Sequence, residues 1–287
     1  MMPTKQAMTE SGAPIVLVTG GSSGIGKSIA YELGRRGCRV YAASRSLADF
    51  FDDPDNKETK PESWLRTVRL DVHSPGQGGQ VVEKIVAEEG RLDILVQAAG
   101  FGIAGPVEIT AHEEARSQME TNFFGSISLL PVVLEQMRKQ RSGLIVNIGS
   151  VAGFLPIPFQ AYYSASKAAL ASLTLALDDE VRPYGIRCMI VQPGDTQTGF
   201  TNARIVSQRV SESEYSLRCE RSLLRMEQDE QNGMSSDKVA RIIVRHMLRR
   251  NPPVQVTCGF VYKLYALAAR LLPVRLARWI IARLYAG

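Results

Sequence analysis

Ile15-Val-Leu-Val-Thr-Gly-Gly-Ser-Ser-Gly-Ile-Gly26, running on into Lys27-Ser-Ile-Ala-Tyr-Glu-Leu-Gly34, decides how this chain is read. The first five residues form a short, continuous, mostly β-branched apolar run, the pattern of a strand buried on both faces of a parallel sheet. Gly20, Gly24 and Gly26 follow in a turn with little room for side chains, and Ile25, Ile29 and Leu33 then repeat every four residues as one face of a helix. Strand, tight turn and helix start make an anion site, because free backbone N–H groups and the positive end of the helix dipole meet there. The glycine spacing is longer than the six-residue G-x-G-x-x-G pattern, but the physics is the same. A dinucleotide pyrophosphate is the expected ligand, held by Gly20, Ser22, Ser23, Gly24, Ile25 and Gly26.

Working outward, further strands are expected at 39–43, 65–70, 92–96, 143–148, 187–191 and 254–257, with helices at 81–89, 113–141 and 235–250 and a catalytic helix near 161–170. Strands alternating with helices predict an α/β fold, a doubly wound parallel seven-stranded sheet of Rossmann type. It forms a single domain over 14–258, with a flexible tail at 1–13 and a C-terminal helical extension at 259–287. Residues 46–63 read as a polar surface insertion. Residues 199–233 are polar and weakly periodic and are expected to form a mobile lid over the site.

Composition agrees with a globular domain: 287 residues, 45% apolar and 22% charged. No apolar run of about 20 residues is present, and the first dozen residues lack the apolar core of a signal peptide, so a cytoplasmic protein is expected. Cys38, Cys188, Cys219 and Cys258 show no C-x-x-C spacing, and His73, His112 and His246 stand far apart; neither a disulfide nor a metal is expected. The net charge of +5 conceals an asymmetry, since residues 238–287 hold ten Lys or Arg and no Asp or Glu. Without a nucleic-acid recognition motif, nucleic acid is not the expected partner.

The end of the second strand selects the cofactor. An NAD site places a carboxylate there for the ribose 2′-hydroxyl, an NADP site a cation for the 2′-phosphate. Here the sequence is Ala42-Ala43-Ser44-Arg45, so NADP(H) is expected over NAD(H), with Arg45 as the phosphate partner. Asp71 ends the third strand, where it either holds an adenine amino group or serves as an ordinary turn Asp. Ala99 and Gly100 let the backbone approach a ligand closely. Beyond the sixth strand, Pro193 and Gly194 bend the chain over the nicotinamide side, where Thr196 and Thr198 are candidates to bond its carboxamide.

Tyr163 and Lys167 lie four residues apart in Ala161-Tyr-Tyr-Ser-Ala-Ser-Lys-Ala-Ala-Leu170, one helical turn above each other. A lysine there stabilises the phenolate and is expected to lower the tyrosine pKa toward a working pH. Tyr162 has only Ser166 at that offset. Ser150 precedes Tyr163 by thirteen residues, and the Pro-rich loop between them can turn its hydroxyl toward the tyrosine. Asn122, in the middle of a helix, says little by itself.

Taken together, Thr-Gly-x-x-x-Gly-x-Gly at 19–26, Asp71, Ala99-Gly100, Asn122, Ser150, Tyr-x-x-x-Lys at 163–167 and Pro193-Gly194 resemble the short-chain dehydrogenase/reductase family over about residues 14–258. One departure is plain: where the family usually has Asn-Asn-Ala-Gly, this chain has Gln97-Ala-Ala-Gly100. The resemblance implies a nicotinamide-dependent interconversion of ketone and secondary alcohol in which Asn122, Ser150, Tyr163 and Lys167 are catalytic. Tyr163 exchanges the proton, Ser150 orients the substrate oxygen, Lys167 also binds the nicotinamide ribose, and Asn122 holds a water that relays protons to Lys167.

Two apolar stretches, 101–107 and 154–159, border the site in this fold and predict a bulky hydrophobic substrate. The family branch of hydroxysteroid, retinol and lipid-ketone reductases is the one most resembled. A 3-oxoacyl or other lipid intermediate is an alternative, and so is a non-catalytic NADP sensor at a membrane surface. After Pro273, Arg275, Arg278 and Arg283 fall on about 140° of a helix, with Leu276, Ala277, Ile280, Ile281 and Leu284 opposite. This basic helix is expected to lie on a membrane, cap the cleft, or pack on another subunit of a homodimer or homotetramer.

Overall fold

The computed structural model describes residues 12–48, 63–74 and 76–285. Most of the expected tail and insertion, at 1–11 and 49–62, lies outside them.

Seven parallel strands form the central sheet: β1 (Ile15–Thr19), β2 (Arg39–Ser44), β3 (Leu65–Arg69), β4 (Ile94–Gln97), β5 (Gly143–Ile148), β6 (Ile186–Pro193) and β7 (Gln255–Cys258). Their order across the sheet is β7-β6-β5-β4-β1-β2-β3. The chain moves outward from β1 to β3, then crosses back to β4 on the other side of β1. Val16 pairs with Val40 of β2 and with Ile94 of β4. This reversal opens a crevice at the carboxyl ends of β1 and β4, where ligands bind in open α/β sheets.

Alternate residues of each strand feed two cores. On one face Val16, Val18, Val40, Val96 and Val146 pack against α1 (Gly24–Arg35), through Ile29 and Leu33, and against α7 (Ser236–Met247), through Val239, Ile243 and Met247. On the other, Leu17, Leu95 and Ile145 meet α2 (Gln77–Glu89), α4 (Leu130–Gln140) and α5 (Ala161–Val181) through Ile85, Val133 and Leu177. The helix expected at 235–250 starts where its cap predicts, with the Ser235 hydroxyl accepting from the Lys238 N–H.

Three expectations change. The single helix expected at 113–141 is interrupted: α3 (His112–Met119) gives way to a π-helical turn at Glu120–Phe124, and Pro131 starts α4 afresh. Residues 199–233 contain a sixteen-residue helix, α6 (Ser216–Gln231), which packs on the C-terminal helix. The C-terminal extension is a pair of helices, α8 (Phe260–Leu271) and α9 (Val274–Tyr285), and of the apolar arc expected on α9 only Ile281 is buried.

Candidate active site

The turn after β1 is closed by backbone against backbone. Gly20 has φ +64°, and a Cβ there would stand 2.7 Å from the Ala99 nitrogen. At Gly26 a Cβ would stand 2.2 Å from the Gly20 carbonyl oxygen. Only glycine fits at either position, and the turn is thereby pressed against the end of β4. Ser23 is the N-cap of α1 with its side chain making no cap bond, and the first N–H groups of the helix, including that of Ile25, face the turn. Ser22 bonds to Ser44 at the end of β2 (3.1 Å), which brings the exposed Arg45 beside the same turn. The turn is a cradle that fits a dinucleotide, and Arg45 lies exposed just beyond the end of β2.

Asp71 is committed in part to its own turn: one carboxylate oxygen accepts from the His73 N–H at 3.0 Å and faces the His73 ring at 3.1 Å. On the far side of the crevice, a Cβ on Gly24 would lie 3.5 Å from Thr198, so Thr198 borders the turn. Its hydroxyl accepts from the Phe200 N–H. Thr196 is buried and donates to the Gly194 carbonyl at 2.8 Å, so its hydroxyl already has a partner. Gly194, following Pro193, is overlaid by the Tyr262 ring of α8, which a Cβ would meet at 2.2 Å.

The catalytic candidates converge between β4, β5 and α5. Ser150 caps a short 3₁₀ turn just beyond β5. Tyr163 is half-buried in the first turn of α5, and Lys167 is buried one turn on. Lys167 Nζ donates to the Ile148 carbonyl at 2.8 Å and lies 5.8 Å from the centre of the Tyr163 ring. A Cβ on Gly100 would be 3.5 Å from that Nζ and 3.0 Å from Asn122 Oδ1.

Asn122 occupies the π-turn, and its amide clamps the backbone of one residue: Oδ1 accepts from the Phe101 N–H (3.1 Å) and Nδ2 donates to the Phe101 carbonyl (3.0 Å). Nδ2 also reaches Ser166 Oγ at 3.2 Å. The side chain is therefore filled, and its main-chain carbonyl accepts from the Ser126 hydroxyl at 3.5 Å. Gln97, the residue that departs from the family pattern, is buried, and neither of its amide atoms has a partner among the described residues.

The electrostatics overturn one expectation. Burial pushes the Tyr163 phenol up to about 12, with Ser150 working against it and the charges of Glu230 and Asp195 adding to it. Burial pushes Lys167 down to about 8. Desolvation prevails over the helical-turn attraction that the spacing suggests, because the ammonium points at Ile148 while Phe200 covers the phenol, ring centres 5.5 Å apart.

Phe200 lies in the segment expected as a lid, but the sequence does not single out the residues that form the cover. Phe200 stacks under Arg204, whose guanidinium carbon is 5.8 Å from its ring centre, and Arg204 pairs with Glu230 of α6. Arg204 and Glu230 lie 26 residues apart in a polar stretch, and nothing local marks them as partners. Helix α9 adds a second layer: Tyr285 donates to Asp229 (3.0 Å), and Arg278 donates to the Pro156 carbonyl (2.8 Å) in the loop before Tyr163.

Comparison with known proteins places this arrangement. The family profile described as short chain dehydrogenase matches residues 14–208. A 3-ketodihydrosphingosine reductase of Bacteroides thetaiotaomicron is 38% identical over 274 residues, spanning 95% of this chain and 98% of that protein. Among solved structures, a short-chain dehydrogenase from Streptomyces avermitilis superposes with TM-score 0.77 at 30% identity, over 90% of this chain and 94% of the other. ElxO with NADP bound gives 0.72 at 25% identity, over 88% and 100%. With its glycine turn, seven-stranded sheet and Ser-Tyr-Lys constellation, the chain belongs to the short-chain dehydrogenase/reductase family of oxidoreductases.

Proposed function

We propose that this oxidoreductase uses NADP(H) to reduce a ketone on a long-chain lipid, with 3-ketodihydrosphingosine as the nearest representative. The similarity over nearly the full length of a reductase of that compound carries the reading, and the apolar loops beside Tyr163 support it. Arg45 at the end of β2, with no carboxylate there, supports NADP(H).

When bound, the nicotinamide supplies the hydride. The chain supplies the rest: Ser150 orients the carbonyl oxygen, and Tyr163 gives it a proton as the hydride reaches the carbonyl carbon. A phenol raised to about 12 is protonated throughout the neutral range, which suits a donor. Lys167, protonated below about 8, stabilises the phenolate left behind, and Tyr163 regains its proton from solvent.

A lipid substrate gives the C-terminal helices a role. Phe260, Leu264, Leu271, Val274 and Trp279 are exposed beside Lys263, Arg275, Arg278 and Arg283. No helix among the described residues is long and apolar enough to cross a membrane. Exposed apolar side chains with cations among them fit the surface of an anionic bilayer instead, and α6 and α9 then form a lid through which lipid enters. Following NADPH absorbance with 3-ketodihydrosphingosine, steroid ketones and 3-oxoacyl thioesters tests the reading. Turnover confined to steroid ketones or thioesters would refute it.

A further inference from the structure

The cover over Tyr163 carries charged groups that hydride and proton transfer do not use. The Arg204 side chain is 2% exposed, and one of its terminal nitrogens donates to Glu230. Nε and the other terminal nitrogen are buried with no partner among the described residues. Buried guanidinium N–H groups without acceptors are strongly unfavourable unless a ligand supplies one. Glu230 also accepts from Thr201, Asp195 accepts from Tyr262, and Asp229 from Tyr285.

The charge count points the other way from the guanidinium. The one buried arginine among them, Arg204, faces two carboxylates, Glu230 and Asp195, while Asp229 beside Asp195 is paired by Arg225 from the exposed side. Acid remains in excess by one. Burial holds both Glu230 and Asp195 above the usual carboxylate range, as expected for acids lacking a full counter-charge. The cluster is thus short of a cation at its acids and short of a neutral acceptor at Arg204. The Phe200 ring adjoins both Tyr163 and Arg204, so the cluster borders the phenol, on which Arg204, Glu230 and Asp195 all act. An anionic head group would be repelled by the surplus acid; a head group with an ammonium and a hydroxyl meets both needs.

We propose that Arg204, Glu230 and Asp195 form a head-group subsite: a protonated amine next to the reacting carbonyl binds between the two carboxylates, and a substrate hydroxyl accepts from the free Arg204 N–H groups. This rests on the lipid-ketone reading and narrows it to long-chain 2-amino ketones carrying a neighbouring hydroxyl. The subsite selects substrates; the proton is still moved by Tyr163.

The test compares kcat/KM with NADPH for three ketones of equal chain length: 3-ketodihydrosphingosine, its N-acetyl derivative, and the plain ketone lacking amine and hydroxyl. The wild-type protein is expected to favour the free amine at least about tenfold over either of the others. Glu230→Gln and Asp195→Asn, which keep shape and remove charge, are each expected to lower that ratio at least about fivefold. A ratio within one preparation is unaffected by loss of active protein. Equal use of all three ketones by the wild type, or an unchanged ratio in both variants, overturns the subsite and leaves lipid-ketone reduction standing. No turnover of any of the three, with steroid ketones reduced instead, overturns the lipid-ketone reading itself and the subsite with it.

Discussion

Lys167 directs its hydrogen bond to the carbonyl of Ile148 and stands 5.8 Å from the centre of the Tyr163 ring, so the two side chains adjoin without the lysine bonding the phenol. The ammonium acts on Tyr163 through space, and burial sets the resting proton affinities of both.

Replacing Tyr163 by phenylalanine removes the proton donor and leaves the glycine cradle intact. Turnover should fall by about 10²- to 10⁴-fold or more, while NADPH affinity, read by fluorescence titration, changes little. Reduction within a few fold of wild type would show that another group supplies the proton.

Reduction should also depend on pH in one direction. Lys167 is charged below about 8 and loses its proton as pH rises through that value, whereas Tyr163, at about 12, stays a phenol. The kcat for reduction is expected to be level near neutrality and to decline above about pH 8. An unchanged kcat at about pH 9.5 would remove Lys167 charge from the rate-determining step.

Arg45 is expected to discriminate between the two nicotinamide dinucleotides. Arg45→Ala should raise the KM for NADPH about tenfold and leave that for NADH nearly unaltered, because only the former has a 2′-phosphate to pair with a guanidinium. Equal changes for both cofactors would make Arg45 a solvated surface residue.

For the C-terminal helices, flotation with vesicles is decisive. Binding to vesicles rich in anionic lipid, weakened by about 0.5 M salt and by Trp279→Glu, is expected, since cations near such a surface contribute about 1 kcal/mol each. Vesicle binding that survives deletion of 260–287 would assign it to another part of the molecule.

Much of this was legible in the sequence, and the exceptions have physical causes. β1 and β5 declare themselves because strands buried on both faces are mostly apolar, and β5 begins and ends at the residues expected. The glycine turn is legible because only glycine tolerates the approach at Gly20 and Gly26. Helix α6 escapes notice because its buried positions are Cys219, Ser222 and Met226, two of them poorly apolar. The π-turn at Asn122 hides inside a helical periodicity that continues on both sides. Spacing reveals that a lysine lies near Tyr163, but not how much water has been removed from around it, and that quantity decides the sign of the shift.

Tyr285 and Arg278 fasten α9 to α6 and to the loop before Tyr163. Whatever displaces α6 must carry α9 with it. A fluorophore on the exposed face of α9 is therefore a reporter of any displacement of α6, read far from the residues that would meet a substrate.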